Sequence, residues 1–326
     1  MSFISVLFAL LIEQARPLGP RNRIHAMLRA WVRWSARNFD AGKSVHGWLT
    51  WAFSVGVPSS AALIVYWLLD LALGWAVALL WSVAVLYVTL GFRQFSFHFT
   101  QIRDALADGD EGLARELLAT WQRIDARELP QSEIVRHVIE HSVIAAHRHV
   151  FGVLAWFSVL AAFGFGPAGA VLYRVSEFVA RYWLQDSKTH HQPVSEALKT
   201  TAGNAWRLID WIPARITSVS FAVVGSFEEA MDGWRQHERQ FDGDNDALIL
   251  AATAGAVNIR LGNGDVSFTK ADNASPAEPD SAFVSVHPSG QSPELAHMAV
   301  IVGLVWRTVV MWILLLALLT LARLLG

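Results

Sequence analysis

The sequence predicts an all-α protein: a polytopic helical bundle of the bacterial inner (cytoplasmic) membrane with a cytoplasmic cap of amphipathic helices. Three observations carry that reading. Of the 326 residues, 53% are hydrophobic and 17% charged, with a mean hydropathy of +0.34, and the apolar residues are gathered in runs long enough to cross ~30 Å of hydrocarbon. Fifteen tryptophans are present, and Trp48, Trp51, Trp75, Trp81, Trp306 and Trp312 flank those runs, where interfacial indoles belong. Residues 93–150 then switch to mixed charge with apolar residues at helical spacing. The net charge of −2 leaves no electrostatic footprint for nucleic acid, so the partner implied first is the lipid bilayer. The absence of cysteine excludes disulfides, thiolate metal sites and cysteine nucleophiles.

Along the chain, residues 1–12 are apolar but short. They lack a basic leader and a small-x-small cleavage site, so they read as a retained first membrane segment. Residues 13–47 carry Arg16, Arg21, Arg23, Arg29, Arg33, Arg37 and Lys43 against Glu13 and Asp40, which places them on the cytoplasmic side. Within them Ile24, Met27, Leu28, Trp31, Val32 and Trp34 recur at helical spacing, the pattern of an interfacial amphipathic helix. Two spans follow at 48–73 and 75–92, with Asp70 and Gly74 at the outside turn. Residues 93–150 form two or three amphipathic helices broken at Gly109 and Pro130, the cap.

Residues 150–173 are apolar but interrupted by GFGPAG, which predicts either a re-entrant element or a single crossing. Basic residues in 174–210 (Arg174, Arg181, Lys188, Lys199, Arg207) keep that stretch cytoplasmic if the element returns. The weakly apolar 209–227 contains Arg215 and suits a shallow or half-span element. Residues 228–262 read as helical and soluble, 263–293 as a Ser-, Asp-, Pro- and Gly-rich flexible loop, and 298–325 as the clearest span. One membrane domain therefore covers 1–326: N-terminal spans (1–92), cap (93–150), broken membrane elements (151–227), soluble helices and loop (228–297) and a C-terminal span (298–326), with four to six membrane segments in all.

The chemistry-bearing pattern is HVIEH at 137–141. On a helix, H-x-x-E-H puts His137 and His141 one turn apart, where both could reach one zinc ion, with Glu140 polarising a water. A third ligand would have to be Glu177 or Glu196, and no motif supports either. With twelve histidines in the chain, a five-residue pattern with two free positions arises readily by chance. No metal site is predicted, and a zinc metalloprotease is only a remote alternative. His147 and His149 flank Arg148, and His190 and His191 in KTHHQP suit a surface loop.

The same stretch has another parent. EHSVIAAHRHVF (from Glu140) resembles the E-N-x-x-D-G-V-x-A-P-L-F motif of the CobD/CbiB family of cobalamin-biosynthesis membrane proteins. In the same order, GPAGAVLYR (166–174) resembles the family's G-P-P-G-A-x-x-Y-R, DWIPARIT (210–217) its W-I/L-P-A-R-L-T, and ATAGAVNIRLGN (252–263) its A-x-A-G-A-L-G-V-R-L-G-G. The helical stretch IRDALADGDEGLARELLATWQ also resembles the one that precedes the family's acidic motif. The resemblance implies an adenosylcobinamide(-phosphate) synthase, which joins aminopropanol or its phosphate to a side-chain carboxyl of adenosylcobyric acid. It implies magnesium and a nucleotide only if the chain is such an active synthase.

Residue by residue, Glu140 keeps the motif's Glu, while His141 stands at the Asn position, Ile144 at the Asp, Ala145 at the Gly and His149 at the Pro. Leu18, Gly19 and Pro20 replace the family's early G-D-P, with His25 matching its nearby His. VSEFVARYW lacks the D-S-x-x-G-Y expected there. Arg215 and Arg260 are kept within their motifs. The departures, the N-terminal LFALLIEQARPLGPRNRIHAMLRAWVRWSA and WRLIDWIPARITSVSFAVVGSFEEAMDGW look like the family's AmpE branch of inner-membrane regulators. The expected function is an AmpE-like regulatory or accessory protein with a degenerate synthase site. It would bind a cobamide precursor or a cell-wall-derived signal through His25, His141, Arg215 and Arg260, and it leaves room for a homo-oligomer. The alternative is an active synthase with Glu140 as its acid and Arg215 and Arg260 as anion clamps.

Overall fold

The computed structural model describes residues 2–16, 23–122, 124–186, 194–240, 244–262 and 290–325. The Leu18-Gly19-Pro20 position, KTHHQP and most of the expected loop at 263–293 lie outside these residues. The described chain is helical: α1 (Ser2–Ala15), α2 (Arg23–Phe39), α3 (Ser44–Leu73), α4 (Trp75–Thr89), α5 (Phe92–Ala107), α6 (Glu111–Gln122), α7 (Gln131–Ala146), α8 (Gly152–Ala162), α9 (Ala168–Arg181), α10 (Glu196–Val224), α11 (Phe227–Gln240), α12 (Asn245–Val257) and α13 (Leu295–Leu325). Two π turns, His147–Phe151 and Tyr182–Asp186, extend α7 and α9. Among the described residues the only β pairing is an isolated bridge from Ile259 to Gln291.

Among the described residues, three helices are long and apolar enough to cross a membrane: Ser44–Leu73, Gln131–Ala162 and Leu295–Ala322. The first and last match the expected spans. The expected span at 75–92 is shorter. The 15 residues of α4 cover about 22 Å, and the chain breaks at Leu90 before α5 begins. The middle candidate differs more. The π turn carries the apolar helix through position 150, where the sequence pattern suggested a boundary between cap and membrane element. Gly109 (φ +78°) and Pro130 do separate α5, α6 and α7, as expected.

The chain divides into two compact units. The first comprises residues 1–91, 148–213 and 313–326. In it, α2 packs back along the first half of α3: the Trp31 indole donates to Ser54 O at 3.0 Å, and Val32, Ala36 and Val55 enter one core with Val175, Val179, Trp183, Leu198 and Ala202. The expected amphipathic helix is therefore present, but Ile24, Met27 and Trp34 of its apolar set are exposed, while Val32 is buried and Leu28 and Trp31 pack against that core. The GFGPAG segment is a sharp reversal, with Gly164 and Gly166 at positive φ. A Cβ at Gly152 would strike the Tyr173 ring, and one at Gly169 would strike Trp156 O. Helices α8 and α9 are thus joined by a tight reversal and lie in close contact.

The second unit comprises residues 92–147 and 214–312. Helix α7 packs on α5, α6 and α12, and α11 pairs with α12. The expected soluble helix at 245–257 is apolar and buried from Leu248 to Ala256. The sequence signal for that is the run ALILAATAGA: small residues let α12 approach α11 until a Cβ at Gly255 would sit 2.2 Å from Glu229 O. Asp244 caps α12 by accepting from the amides of Asp246 and Ala247.

Candidate functional site

The four motif-like segments meet pairwise through buried hydrogen bonds. In the second unit, Glu140 on α7 accepts from the backbone N–H of Gly262 at 2.7 Å and from Arg136 Nη1 at 3.0 Å. This ties the HVIEH segment to the IRLG turn, whose Asn258 sits in the left-handed region and closes α12. His147 Nδ1 lies 2.9 Å from Thr217 Oγ1, joining the first segment to the end of DWIPARIT. In the first unit, Tyr173 of GPAGAVLYR donates to Asp210 of DWIPARIT at 2.7 Å. Trp156 Nε1 also donates to Ile209 O at 3.0 Å.

Glu140 has no exposed surface. Arg136, which also bonds Glu133 at 2.6 Å, and Gly262 share its oxygens. A carboxylate so enclosed acts as a pin between α7 and the turn after α12, and it has no face open to a substrate. His141 packs edge-on against Trp121, which stacks on His98. His137 lies beside the Arg136 guanidinium at 3.4 Å, and its carbonyl accepts from Gln122. Of the zinc ligands considered, Glu177 bonds two arginines and Glu196 bonds Lys199 at 2.7 Å. Among the described residues no group of three or more His, Asp or Glu side chains is arranged to hold a metal ion. Ile144 is buried on α7. Arg215 approaches Asn245 at 3.5 Å and Glu238 at 3.8 Å. Arg260 is exposed, with its backbone bonded to Gln291.

The first unit also holds a cluster that spacing alone does not reveal. Helix α9 projects Arg174, Glu177 and Arg181 from successive turns, with Arg174 Nη1 2.6 Å and Arg181 Nε 3.0 Å from the Glu177 carboxylate. Glu177 is 4% exposed. Burial would raise its carboxyl, but Arg181, Arg174, His149 and Arg148 outweigh burial and hold it at about 2. Arg148, at the start of this unit's second segment, also lies over the Trp206 ring at 5.8 Å. His25 of α2 completes the set. Burial, then Arg174 and Arg181, lower its imidazole below the usual value, so the ring is neutral at pH 7. Among the described residues, the buried Nδ1 atoms of His25 and His149 have no hydrogen-bond partner.

Two guanidinium groups on one carboxylate, with a third in electrostatic reach, suit a phosphate or carboxylate ligand. A nucleotide's phosphates fit such a cluster. A bare divalent cation does not, since it needs several oxygen ligands. The sequence picked out His25 and Glu177 separately and for different roles. It missed Arg148, His149, Arg174, Arg181 and Asp210 as a set, because their partners lie tens of residues away or on another helix. The one local signal was the i, i+3, i+7 pattern of Arg174, Glu177 and Arg181 on α9.

Comparison with known proteins fits this convergence. The family described as CobD/Cbib protein matches residues 3–285. A cobalamin biosynthesis protein CobD of Stutzerimonas stutzeri (strain A1501) is 28% identical over 323 residues, covering 96% of each chain. A protein of the same description from Chromobacterium violaceum is 31% identical over 182 residues, 56% of this chain and 55% of that one. One from Leptospira interrogans is 29% identical over 195 residues, 58% of this chain and 59% of that one. No solved structure matches. The likeness runs through all four segments that the hydrogen bonds tie together, and the chain belongs to the CobD/CbiB family.

Proposed function

We propose that this chain is a membrane-embedded enzyme of cobalamin biosynthesis that forms an amide between a corrinoid side-chain carboxyl and aminopropanol or its phosphate. This departs from the AmpE-like regulatory role expected first. The names of the relatives, one of them alike over 96% of both chains, favour biosynthesis over regulation. The observation that carries the reading is the cluster of Arg148, Arg174 and Arg181 around the buried Glu177, beside the Tyr173–Asp210 bond. It offers cationic donors for anionic reactants at the meeting point of two family-like segments.

In such a reaction the carboxylate is activated by phosphoryl transfer from a nucleoside triphosphate. The amine nitrogen then attacks the acyl carbon, the phosphate leaves with the C–O electron pair, and the amine gives up one proton. The chain's own residues supply charge stabilisation for the anions through Arg148 and Arg181, with Glu177 orienting Arg181. Arg215 and Arg260 remain secondary candidates.

The test is a corrinoid mass assay with the purified full chain in detergent, cobyric acid, aminopropanol phosphate, ATP and magnesium. The expected product carries the added amide, and Arg181→Gln lowers its rate by about tenfold or more. No product, under conditions where an active relative makes it, overturns the proposal. One observation favours a second reading: Ile144, at the position of the motif's Asp, is buried among apolar residues. An accessory protein that binds a corrinoid without converting it would then be the outcome.

A further inference from the structure

A cavity of about 500 Å³ opens in the first unit between α2, α3, α4 and α9. Its walls include Ala61 and Val65 of α3 and Ala84 and Val88 of α4, and they are almost wholly apolar. The indole of Trp81 and the hydroxyl of Thr89, which also line it, donate to Ala62 O and Val85 O. That leaves His25 and Arg174 as the polar groups turned to the cavity. Their sequence neighbours Leu28 and Val175 pack in one core with Val55, in the first half of α3. The closed end of the α3–α4 hairpin is the turn at Gly74. Helix α3 is one of the helices long and apolar enough to cross a membrane, and α2 also carries Arg23, Arg29 and Arg33. An anionic head at one end and an apolar slot running along a membrane helix describe an amphiphile aligned with the bilayer.

We propose that this cavity binds one anionic phospholipid, with its phosphate on Arg174 and His25 and an acyl chain between α3 and α4. Arg174 Nη1 donates to Glu177, and a guanidinium carries five N–H donors, enough to serve a phosphate as well. The unpartnered Nδ1 of His25 supplies a further donor in the tautomer that carries its proton there. The site does not depend on the chain being a synthase. A corrinoid assay without product leaves it intact, and loss of lipid leaves the assay interpretable.

The experiment is native mass spectrometry of the full chain in detergent, titrated separately with phosphatidylglycerol, phosphatidylcholine, palmitate and inorganic phosphate. Phosphatidylglycerol is expected to remain bound as a single adduct at concentrations where phosphatidylcholine does not. Arg174→Gln should weaken it by about tenfold, the loss of a charge-assisted hydrogen bond. Ala84→Phe, an exposed wall position, should abolish the adduct while leaving the circular dichroism unchanged. Equal retention of the two phospholipids, an adduct that survives Ala84→Phe, or complete displacement by palmitate or inorganic phosphate overturns the proposal. If either variant fails to fold, the wild-type comparison of the two phospholipids decides alone.

Discussion

Glu140 shows what one kept residue does when its neighbours change. The sequence marks it as the acid of a modified motif, while the structure gives it Arg136 on one side and the Gly262 amide on the other, with no exposure. Removing one partner of a buried pair leaves an uncompensated charge. Glu140→Leu should therefore cost about 3–5 kcal/mol in chemical unfolding, and Arg136→Met combined with it should recover a large part. Residual activity per folded molecule should stay near wild type, since a pin positions and does not react. Glu177 is the opposite case, passed over for lack of a motif yet the centre of the cationic cluster. Its carboxyl sits at about 2 in the folded chain against an ordinary 4.5, so the folded state favours the ionised form. That contribution, about 3 kcal/mol, is fully present above pH 5 and is lost as pH falls towards 2. His25 adds a loss in the same direction below pH 6.5, because its lowered pKa favours the neutral ring. Melting temperature against pH should drop across pH 5 to 2, and Glu177→Gln should flatten that drop.

Among the elements, the α8–α9 hairpin and the α11–α12 pair depend on close backbone approach. Gly169→Ala would put its Cβ 2.1 Å from Trp156 O, and Gly255→Ala would put one 2.2 Å from Glu229 O. Each contact is with backbone, which cannot rotate away, so each substitution should cost about 2–4 kcal/mol. Gly203→Ala in α10 meets nothing within 4 Å and should be neutral or stabilise by up to about 1 kcal/mol. Denaturant unfolding of the three variants checks the contrast. Elements were legible where one signal dominated: α3 and α13 from continuous apolar runs, and the α5–α6–α7 breaks from Gly109 and Pro130. They were harder to read where two signals competed. A π turn carried α7 into α8 across a charged HRH triplet that looked like a boundary. The apolar α12 was taken for soluble because the acidic α11 beside it set the tone of the window.

Across the whole molecule, fold class and family were open to reading because they rest on composition and on four ordered segments. The candidate site was only partly so. His25, Arg148, His149, Arg174, Glu177 and Arg181 come from three separate helices, and no local pattern announces that folding joins them. Three helices of membrane-crossing length predict that the chain stays in the pellet after alkaline carbonate extraction of membranes. Release into the supernatant would contradict that. The central claim is that this family member works in cobalamin biosynthesis, and the most direct measurement is complementation of a bacterial strain lacking its cobinamide synthase. The account predicts that the wild-type chain restores cobalamin-dependent growth and that Arg181→Gln reduces it. Wild-type chain present in the membrane fraction without any restored growth would contradict it.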